Sequence, residues 1–531
     1  MAAQRRPGAV RRPGRARRPA AGHPHRGPPL TRTATAAARD GRTIMRTPTA
    51  LTIVVGLVAT VVAFAVAPGG PRLDPRHTGD AELAATVRAA VGGDRGYRGL
   101  AVALVDEGRV RTAGIGERAP GRPVEPGTPF EIGSVTKGMT GMLLAHRAAG
   151  GAVRPDAPLS DALPKVDGPT REVTLAELAS HRSGLPRLAL GPIDLVRTAW
   201  TNLTAGNPYG GWDAEWVVDA ASDERPGDGR GSVHYSNVGV ALLGQALAAQ
   251  AGTTYPELLD RELLRPLGMT RTVVATEPAL LPPGRAVGTK LGGRPADPWV
   301  GGGYAPAGIG VWSTAEDLAR LVAGLLAGTA PGADAATARF TEDDRDRVGY
   351  GWFTTRHGDR EIVWHNGGTG GFRAYVGWEP AAGRGVVVLG NTERDVDPVG
   401  LRLLGVDGDA VEDEGVPLAG WVGVALALGF SFLGGVSLLR TVRRVPDRLS
   451  LAPAAAWALL YLGLGHRLGN WSLVPGWLWP LGVGLSAAGL VVAAYRWRAL
   501  PTVDGAPPRK RLASLAGSAL VAVPLLVAVL A

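Results

Sequence analysis

Long apolar stretches flank a central region of mixed character. The first covers residues 49–67. Four more follow near the C-terminus, at residues 418–439, 451–465, 476–494 and 512–531. A helix needs about 20 apolar residues to cross the hydrocarbon core of a bilayer, so each stretch is a candidate membrane span, although residues 451–465 are short. Between them, residues 71–405 mix charges with short apolar runs, which is typical of a water-soluble domain.

The apolar periodicity inside residues 71–405 predicts strands at both ends and helices between them. Strands are predicted at residues 99–105, 110–114, 361–364, 373–378 and 385–389, the first two forming a hairpin. Helices are predicted at residues 134–149, 174–179, 238–251 and from a capping box at 313–316 to about 326. This order predicts an α/β fold, in which N- and C-terminal segments complete one sheet around a helical insert.

Arginine positions predict how the chain crosses the membrane. Basic residues cluster between the first and second C-terminal stretches and again between the third and fourth, and Arg46 precedes residues 49–67. Because basic loops stay on the cytoplasmic side, both ends of the chain independently put residues 71–405 outside the cytoplasm. We therefore expect a multi-pass protein of the cell membrane, with membrane lipid as a partner and a linker at residues 406–417.

Residues 45–70 predict either a signal anchor or a cleavable signal peptide. The triplet at residues 65–67 suits cleavage by a signal peptidase. Pro68 follows that triplet directly and disfavours cleavage, which favours a retained anchor.

The formal charge of +10 belongs to the N-terminus. Residues 1–44 hold eleven Arg and one Asp, so the chain from Met45 onward is neutral. Arg, Pro, Ala and Gly without large apolar side chains predict a disordered segment, unless translation begins at Met45. A folded basic face for nucleic acid is therefore not expected. The chain also has no cysteine, which excludes disulfides, thiolate metal sites and a cysteine nucleophile.

The first candidate site pairs Ser134 with Lys137 at the start of a predicted helix. One helical turn separates them, so both side chains lie on one face. A serine hydroxyl needs a neighbouring base or cation to become nucleophilic, and lysine can be either. The chain has four lysines, and only Lys137 has a serine three residues earlier. Arginine could not replace it, because its guanidinium keeps its proton.

Two further motifs follow in chain order. Tyr235 and Asn237 form a Tyr-x-Asn motif before a predicted helix, where a phenol with a lowered pKa could accept a proton and an amide could hold substrate. His365 ends a predicted strand and is followed by Gly367 and Gly368, which would let substrate lie against the strand edge, while the imidazole could form a hydrogen bond or carry charge toward a carboxylate.

These three motifs in this order resemble the serine β-lactamase and penicillin-binding-protein family, in the branch of class C β-lactamases, D-Ala-D-Ala carboxypeptidases and related esterases. The resemblance spans roughly residues 80–392 and includes residues 178–186, 306–318 and 391–392. It implies a β-lactamase-like antiparallel sheet flanked by helices, acylation of Ser134 and a general-base role shared by Lys137 and Tyr235. Asn237 would orient the substrate, and the backbone N–H groups of Ser134 and Gly368 would form an oxyanion hole.

His365 stands where penicillin-binding relatives carry the lysine of Lys-Thr-Gly. A histidine carries only partial charge near neutral pH, so efficient β-lactamase activity is not expected. Other enzyme signatures are absent: there is no G-x-S-x-G, residues 301–303 lack a phosphate-loop lysine, and His181 and His234 do not show metal-ligand spacing. We expect no metal and no cofactor.

The sequence thus predicts a membrane-anchored, extracytoplasmic serine hydrolase. It would act through an acyl-enzyme on an amide or ester, such as a D-amino-acid peptide, a β-lactam-like compound or another small-molecule ester. The alternative is a sensor of penicillins or peptidoglycan fragments that binds without turnover and signals through its C-terminal spans. A transporter is disfavoured because the C-terminal stretches hold hardly any ionisable residue. The oligomeric state is left open.

Overall fold

Strands from the two ends of the soluble region pair side by side in one sheet. The computed structural model describes residues 49–406, 418–504 and 508–530. The strands are β1 His77–Gly79, β2 Gly99–Asp106, β3 Arg109–Ala119, β4 Arg122–Pro123, β5 Phe130–Glu131, β6 Val273–Val274, β7 Val311–Ser313, β8 Phe340–Thr341, β9 Asp346–Val348, β10 Phe353–His357, β11 Arg360–Gly368, β12 Arg373–Glu379 and β13 Arg384–Gly390. The predictions for residues 1–44 and for most of the linker lie outside the described residues.

The helices fill the insert between the strands and form the C-terminal region. They are α1 Thr49–Ala63, α2 Ala81–Val91, α3 Val135–Ala149, α4 Leu159–Ala162, α5 Leu175–Ala179, α6 Pro192–Thr204, α7 Ala214–Ser222, α8 Asn237–Gln250, α9 Tyr255–Leu259, α10 Ala315–Leu326, α11 Asp397–Leu403, α12 Leu418–Val442, α13 Arg448–Leu468, α14 Leu478–Trp497 and α15 Pro508–Leu530.

The main sheet is antiparallel and runs in the order β1, β3, β2, β13, β12, β11, β10, β9, β8, with β4 beside β3. Strand β13 joins the two halves by pairing with β12 on one side and with β2 on the other, Val387 lying opposite Ala103. This confirms the predicted fold class, an antiparallel sheet completed by both ends of the domain around a helical insert. A smaller sheet, β5-β7-β6, lies beside the start of α3.

Two helices of the insert are buried almost all round. Eleven consecutive residues of α3, from Val135 to Ala145, are buried, and so are eleven of α8, from Val238 to Ala248. A helix without a polar face belongs inside a protein, because water on any side would leave apolar side chains hydrated. Helix α10 packs on β13 and β2, while α2 and α11 cover the opposite face of the sheet.

The predicted capping box at residues 313–316 is wrong by one residue. Thr314, and not Ser313, caps α10, and its side chain accepts a hydrogen bond from the Asp317 amide. Ser313 is the last residue of β7, and its hydroxyl is 2.8 Å from that of Thr272. Strand pairing therefore takes Ser313 away from the helix, and the next hydroxyl residue caps it.

Four helices are long and apolar enough to span a membrane in the described part of the chain: Thr49–Val66, Gly420–Val442, Arg448–Leu468 and Leu478–Trp497. The apolar stretch of α15, Leu515–Val527, is shorter, so a fourth C-terminal span stays a prediction. Helices α12, α13 and α14 pack together, α1 packs along α14, and α15 packs along α13. Small residues make the α1 contact close: a Cβ atom on Gly484 would lie 1.9 Å from Thr60 Oγ1.

The segment between α13 and α14 touches the soluble domain. The Ser472 hydroxyl donates a 2.9 Å hydrogen bond to the Leu291 carbonyl. Leu291 belongs to a tight turn in which the Lys290 amide bonds the Arg294 carbonyl. The same turn is held to the sheet side by an ion pair between Lys290 and Glu393, at 2.7 Å.

Candidate active site

Ser134 lies at the N-terminus of α3, with Lys137 one turn further on. The Lys137 Nζ atom is 2.6 Å from Ser134 Oγ and also donates to the Ala307 carbonyl at 2.7 Å. The backbone N–H of Ser134 stands where helix amides have no intrahelical partner. The predicted pair is therefore in direct contact, held between the start of α3 and the turn that precedes β7.

Burial favours the neutral form of Lys137. Its side chain is 1% exposed, and no carboxylate of the described residues forms an ion pair with it. Burial, followed by the positive charge of Arg187, holds the pKa of Lys137 well below its usual value. A neutral amine with a free lone pair can accept the Ser134 proton, which an ammonium group cannot do.

Tyr235 completes the cluster from the segment before α8. Its hydroxyl is near enough to Ser134 for that side chain to lower the pKa of the phenol, and Lys137 Nζ is 4.9 Å from the centre of its ring. The next residue, Ser236, caps α8 by accepting from the Gly239 amide and ties the segment to Pro186 at 2.8 Å. These two bonds hold the backbone next to Tyr235 and so restrict the orientation of its side chain.

The expectation that Tyr235 has a lowered pKa is wrong. Burial raises the pKa of its phenol to about 12, and the neighbouring Ser134 side chain and the Arg187 charge offset only part of that rise. Tyr235 is therefore a phenol at neutral pH, able to donate or relay a proton.

His181 holds Tyr235 in place. Its imidazole is fully buried, with its ring centre 4.5 Å from that of Tyr235 and stacked on Phe353 at 6.0 Å. The ring nitrogen Nδ1 accepts from the Ser236 amide at 3.3 Å, and the backbone is in the left-handed region at φ 59°. His181 therefore lies in a turn that packs against the phenol of Tyr235.

His365 lies inside β11, and the structure gives it no charge. Its side chain is 1% exposed, and its Nδ1 is 2.5 Å from the Asn366 carbonyl, which fixes Nδ1 as the protonated nitrogen. Burial, together with the neighbouring Lys137, lowers the pKa of His365 to about 3. The expectation that this histidine carries charge toward a carboxylate is therefore wrong. Its Nε2 atom has no hydrogen-bond partner among the described residues.

Glycines let three segments meet at Ser134. A Cβ atom on Gly367 would lie 2.0 Å from the Ile132 carbonyl and 3.1 Å from the Ser134 amide. Gly308, at φ 111°, passes equally close to the Gly133 carbonyl. Strand β11 and the turn before β7 therefore both approach the start of α3 more closely than any side chain would allow.

A cavity of about 130 Å³ opens beside Ser134. It is lined by Gly133, Ser134, Arg187, Leu188, Tyr209, Asn237, Trp299, Tyr304, Ala307, Ile309 and Gly368. Asn237 and Gly368 thus line the cavity together with Ser134, whereas Gly367 and His365 are not among its lining residues. The backbone of Asn237 is held in position because its N–H donates to the backbone carbonyl of Arg187 at 3.0 Å.

Arg187 is a residue that the sequence analysis missed. Its guanidinium lies 5.4 Å from the Tyr235 ring centre, at the wall of the cavity, and it pairs with no carboxylate of the described residues. The signal was its position directly after residues 178–186, one of the segments that carry the family resemblance. A guanidinium without an ion-pair partner at the wall of a cavity can bind an anionic group of a small molecule.

A buried carboxyl lies behind the cavity wall. Glu131 is 2% exposed, and its Oε1 accepts from the Trp299 amide at 2.9 Å. Burial raises the pKa of Glu131 to about 7. His234, by contrast, is exposed and does not line the cavity. Across the described residues, no group of three His, Asp or Glu side chains is placed to hold a metal ion.

Comparisons with known proteins agree with this geometry. The Beta-lactamase family model matches residues 82–405. The D-alanyl-D-alanine-carboxypeptidase/endopeptidase AmpH of Escherichia coli K12 is 28% identical over 325 residues, which cover 55% of this chain and 79% of that protein. A Beta-lactamase of the same strain is 25% identical over 341 residues, which cover 55% of this chain and 84% of that protein.

A solved structure shares the fold. The class C β-lactamase from Rhodobacter sphaeroides superposes with a TM-score of 0.52 at 23% identity, over 61% of this chain and 98% of that one. The family model covers more than half of the chain and includes every residue of the cluster around Ser134. The chain therefore belongs to the serine β-lactamase and penicillin-binding-protein family, where its relatives include a carboxypeptidase/endopeptidase and a β-lactamase, and it shares the fold of a class C β-lactamase.

Proposed function

We propose that this chain is a membrane-anchored serine hydrolase that forms an acyl-enzyme on Ser134 from a small amide or ester bearing a negative charge. The observation that carries the proposal is the buried Lys137 amine, 2.6 Å from the Ser134 hydroxyl and with a strongly lowered pKa. A neutral amine in that position is a general base for the hydroxyl.

In the proposed acylation, one proton passes from Ser134 to Lys137 and then to the leaving group. Ser134 Oγ attacks the substrate carbonyl while its proton passes to Lys137 Nζ. The carbonyl oxygen takes the negative charge and accepts hydrogen bonds from the amides of Ser134 and Gly368. The bond to the leaving nitrogen or oxygen then breaks, and the Lys137 proton reaches that atom through the Tyr235 hydroxyl. In deacylation, water attacks the ester, Lys137 takes its proton, and Ser134 Oγ is protonated again.

The cavity favours a small, charged substrate. Its volume of about 130 Å³ is below the roughly 300 Å³ at which drug-sized pockets begin. With His365 neutral, Arg187 is the cation placed to bind a carboxylate on the substrate. A D-amino-acid peptide with a free carboxylate meets both conditions, and the AmpH relative is named as an enzyme for such peptides.

A substrate panel tests this proposal. The full chain in lipid nanodiscs would be offered D-Ala-D-Ala peptides, the same peptides with an amidated C-terminus, p-nitrophenyl esters and a chromogenic cephalosporin. We expect turnover of the free peptides, much slower turnover of the amidated ones, and no turnover by Ser134→Ala. Equal rates on free and amidated peptides would contradict the role of Arg187, while no acylation by any substrate would contradict the enzyme itself.

One contact favours a second function, a sensor that signals without turnover. The turn of residues 290–294 accepts the Ser472 hydrogen bond from the membrane helices. The residue before this turn, Thr289, bonds the Gly371 carbonyl between β11 and β12. A shift of β11 could therefore be passed through Gly371, Thr289 and the turn of residues 290–294 to the segment between α13 and α14. Intact-mass measurement separates the functions: an adduct on Ser134 that persists for hours supports the sensor, and substrate loss without a persistent adduct supports the enzyme.

We also propose that the catalytic domain faces the outside of the cell. The arginine-rich loops around residues 440–448 and 496–511 support this topology, and the packing of α1 on α14 supports a retained anchor. The test uses single cysteines in a chain that has none. Cysteine at the exposed Val110 should react with an impermeant maleimide in intact cells, and cysteine at Arg444 only after permeabilisation. The reverse pattern would overturn the topology.

A further inference from the structure

Helix α6 has its apolar face turned outward. Ile193 is 83% exposed, Val196 72%, Leu195 57% and Trp200 37%. At 100° per residue these four positions share one face of the helix with Ala199. No residue of α6 is buried. A surface helix of a water-soluble protein normally turns this face to the core.

The polar face of α6 is turned inward instead. Arg197 donates to the Gly210 carbonyl, and its guanidinium lies 5.6 Å from the Trp212 ring centre. Thr198 Oγ1 is buried, and the Thr201 hydroxyl donates to the Arg197 carbonyl at 3.0 Å. The helix is therefore amphipathic, but its polar face packs against the protein and its apolar face points away from it. Five apolar side chains thus form a continuous exposed surface.

Helix α6 lies close to the C-terminal helices. Arg294 donates a 3.0 Å hydrogen bond to the Leu203 carbonyl in the last turn of α6. Arg294 ends the turn that Ser472 of the membrane bundle contacts. In addition, α15 packs directly against α6 and still leaves its apolar side chains exposed. The apolar face of α6 thus lies beside α15, and the last turn of α6 is tied to the turn that contacts the segment between the candidate spans α13 and α14.

We propose that α6 is an interfacial helix, lying with Ile193, Val196 and Trp200 among the headgroups and upper acyl chains of the bilayer that α1, α12, α13 and α14 cross. Such helices sink about 5–10 Å into this boundary, and tryptophan is enriched there because its ring is apolar and its N–H is polar. Exposure of this face to water would carry the cost of hydrating all five side chains, which lipid removes.

The placement has a consequence for the cavity. Arg187 and Leu188, which line it, precede α6 by a few residues along the chain. With α6 in the headgroup region, the cavity wall lies next to the membrane surface. This inference rests on the membrane helices and not on the catalytic proposal, so the two can fail separately.

Site-directed spin labelling tests the proposal, since the chain has no native cysteine. Single cysteines would be placed at Val196 and Ile193, at Val110 on the hairpin between β2 and β3, and at Leu433 on α12. All four side chains are exposed. The full chain in nanodiscs would be labelled with a nitroxide, and its collision rates with oxygen and with a water-soluble nickel chelate compared. Unchanged thermal midpoints would show that each variant folds.

We expect the ratio of oxygen to nickel collisions to be several-fold higher at Val196 and Ile193 than at Val110, and to approach the ratio at Leu433. A water-like ratio at Val196 with a lipid-like ratio at Leu433 would overturn the proposal alone. Shielding of Val196 from both reagents would also overturn it, because a protein surface or a second copy would then cover the face. A water-like ratio at Leu433 would overturn the membrane placement and the proposal together.

Discussion

The Lys137 Nζ atom lies 2.6 Å from Ser134 Oγ inside a site where burial holds the pKa of the lysine well below its usual value. The two residues are one helical turn apart, but their chemistry depends on residues far away in the sequence. Ala307 accepts the second hydrogen bond of the amine, and Arg187 adds a positive charge that disfavours protonation. Predictions about activity therefore begin with this pair.

Replacing Lys137 by arginine tests the base. Arginine keeps a positive charge but holds its proton, so Ser134 would lose its acceptor. We expect the rate of acylation to fall by about 10²–10⁴-fold, the usual contribution of a general base. Lys165→Arg is the matched control, because the Lys165 side chain is 75% exposed and far from the cavity. Acylation within a few-fold of the unaltered protein in Lys137→Arg would argue against a lysine base.

The pH dependence of kcat/KM tests the influence of Arg187 on Lys137. Activity requires the neutral amine, so kcat/KM should rise with pH as Lys137 loses its proton. The Arg187 charge lowers the pKa of Lys137; without it that pKa rises, and the acidic limb moves to higher pH. Arg187→Gln should show this shift, and Arg187→Lys, which keeps the charge, should not. Esters without a carboxylate are the substrates to use, because they separate this effect from binding.

The sequence predicted those elements whose signals are local. The strands β2, β12 and β13 and the helices α3, α5, α8 and α10 were predicted close to their observed bounds, whereas β3 and β11 were located but run on to Ala119 and Gly368, past their predicted ends. Short edge strands such as β8 and β9 were missed, because two or three residues hold too little periodicity. Helix α6 also went unpredicted.

The sequence predicted which residues meet at the site better than it predicted their protonation states. Ser134, Lys137, Tyr235 and Asn237 were found because motif and chain order identify them. The pKa values of Tyr235 and His365 were misjudged, since they depend on burial, which no local pattern reveals. Arg187 was missed for a related reason: it becomes notable only where folding puts it beside Tyr235 without a counter-ion.

His181 should act as a positioning residue for Tyr235. His181→Ala would remove the ring that lies 4.5 Å from the phenol and the acceptor for the Ser236 amide. We expect kcat to fall by about tenfold with a smaller change in KM, because a misplaced relay slows proton transfer more than binding. His234→Ala serves as the control, since that side chain is exposed. Steady-state kinetics with a p-nitrophenyl ester measures both parameters; a change confined to KM would contradict the prediction.

We expect the contribution of Glu131 to the free energy of unfolding to fall as pH rises. Its pKa is about 7 in the folded state and 4.5 when unperturbed, so the folded state holds the proton more tightly. The contribution is fully present below pH 4.5 and is lost as pH rises through 7, a difference on the order of 3 kcal/mol. Glu131→Gln, which cannot ionise, should therefore be about as stable as the unaltered protein at pH 4.5 and more stable at pH 8.

Thermal unfolding of the full chain in nanodiscs at the two pH values measures this difference. Glu125→Gln, at an exposed position, is the control and should leave the two midpoints unchanged. If Glu131→Gln lost as much stability with rising pH as the unaltered protein, another group would be responsible for that loss.

Gly367 and Gly368 form a matched pair that tests how β11 meets the nucleophile. A methyl group on Gly367 would lie 2.0 Å from the Ile132 carbonyl, a backbone atom that cannot move without shifting Ser134. A methyl group on Gly368 would meet only the end of the Arg373 side chain, at 2.8 Å, which can turn away. We expect Gly367→Ala to lower kcat/KM by about 10²-fold, the order of effect that a 1 Å misplacement has. Gly368→Ala, which keeps its backbone N–H, should stay within a few-fold of the unaltered protein, and equal losses in the two variants would show that the close approach of β11 is not what places Ser134.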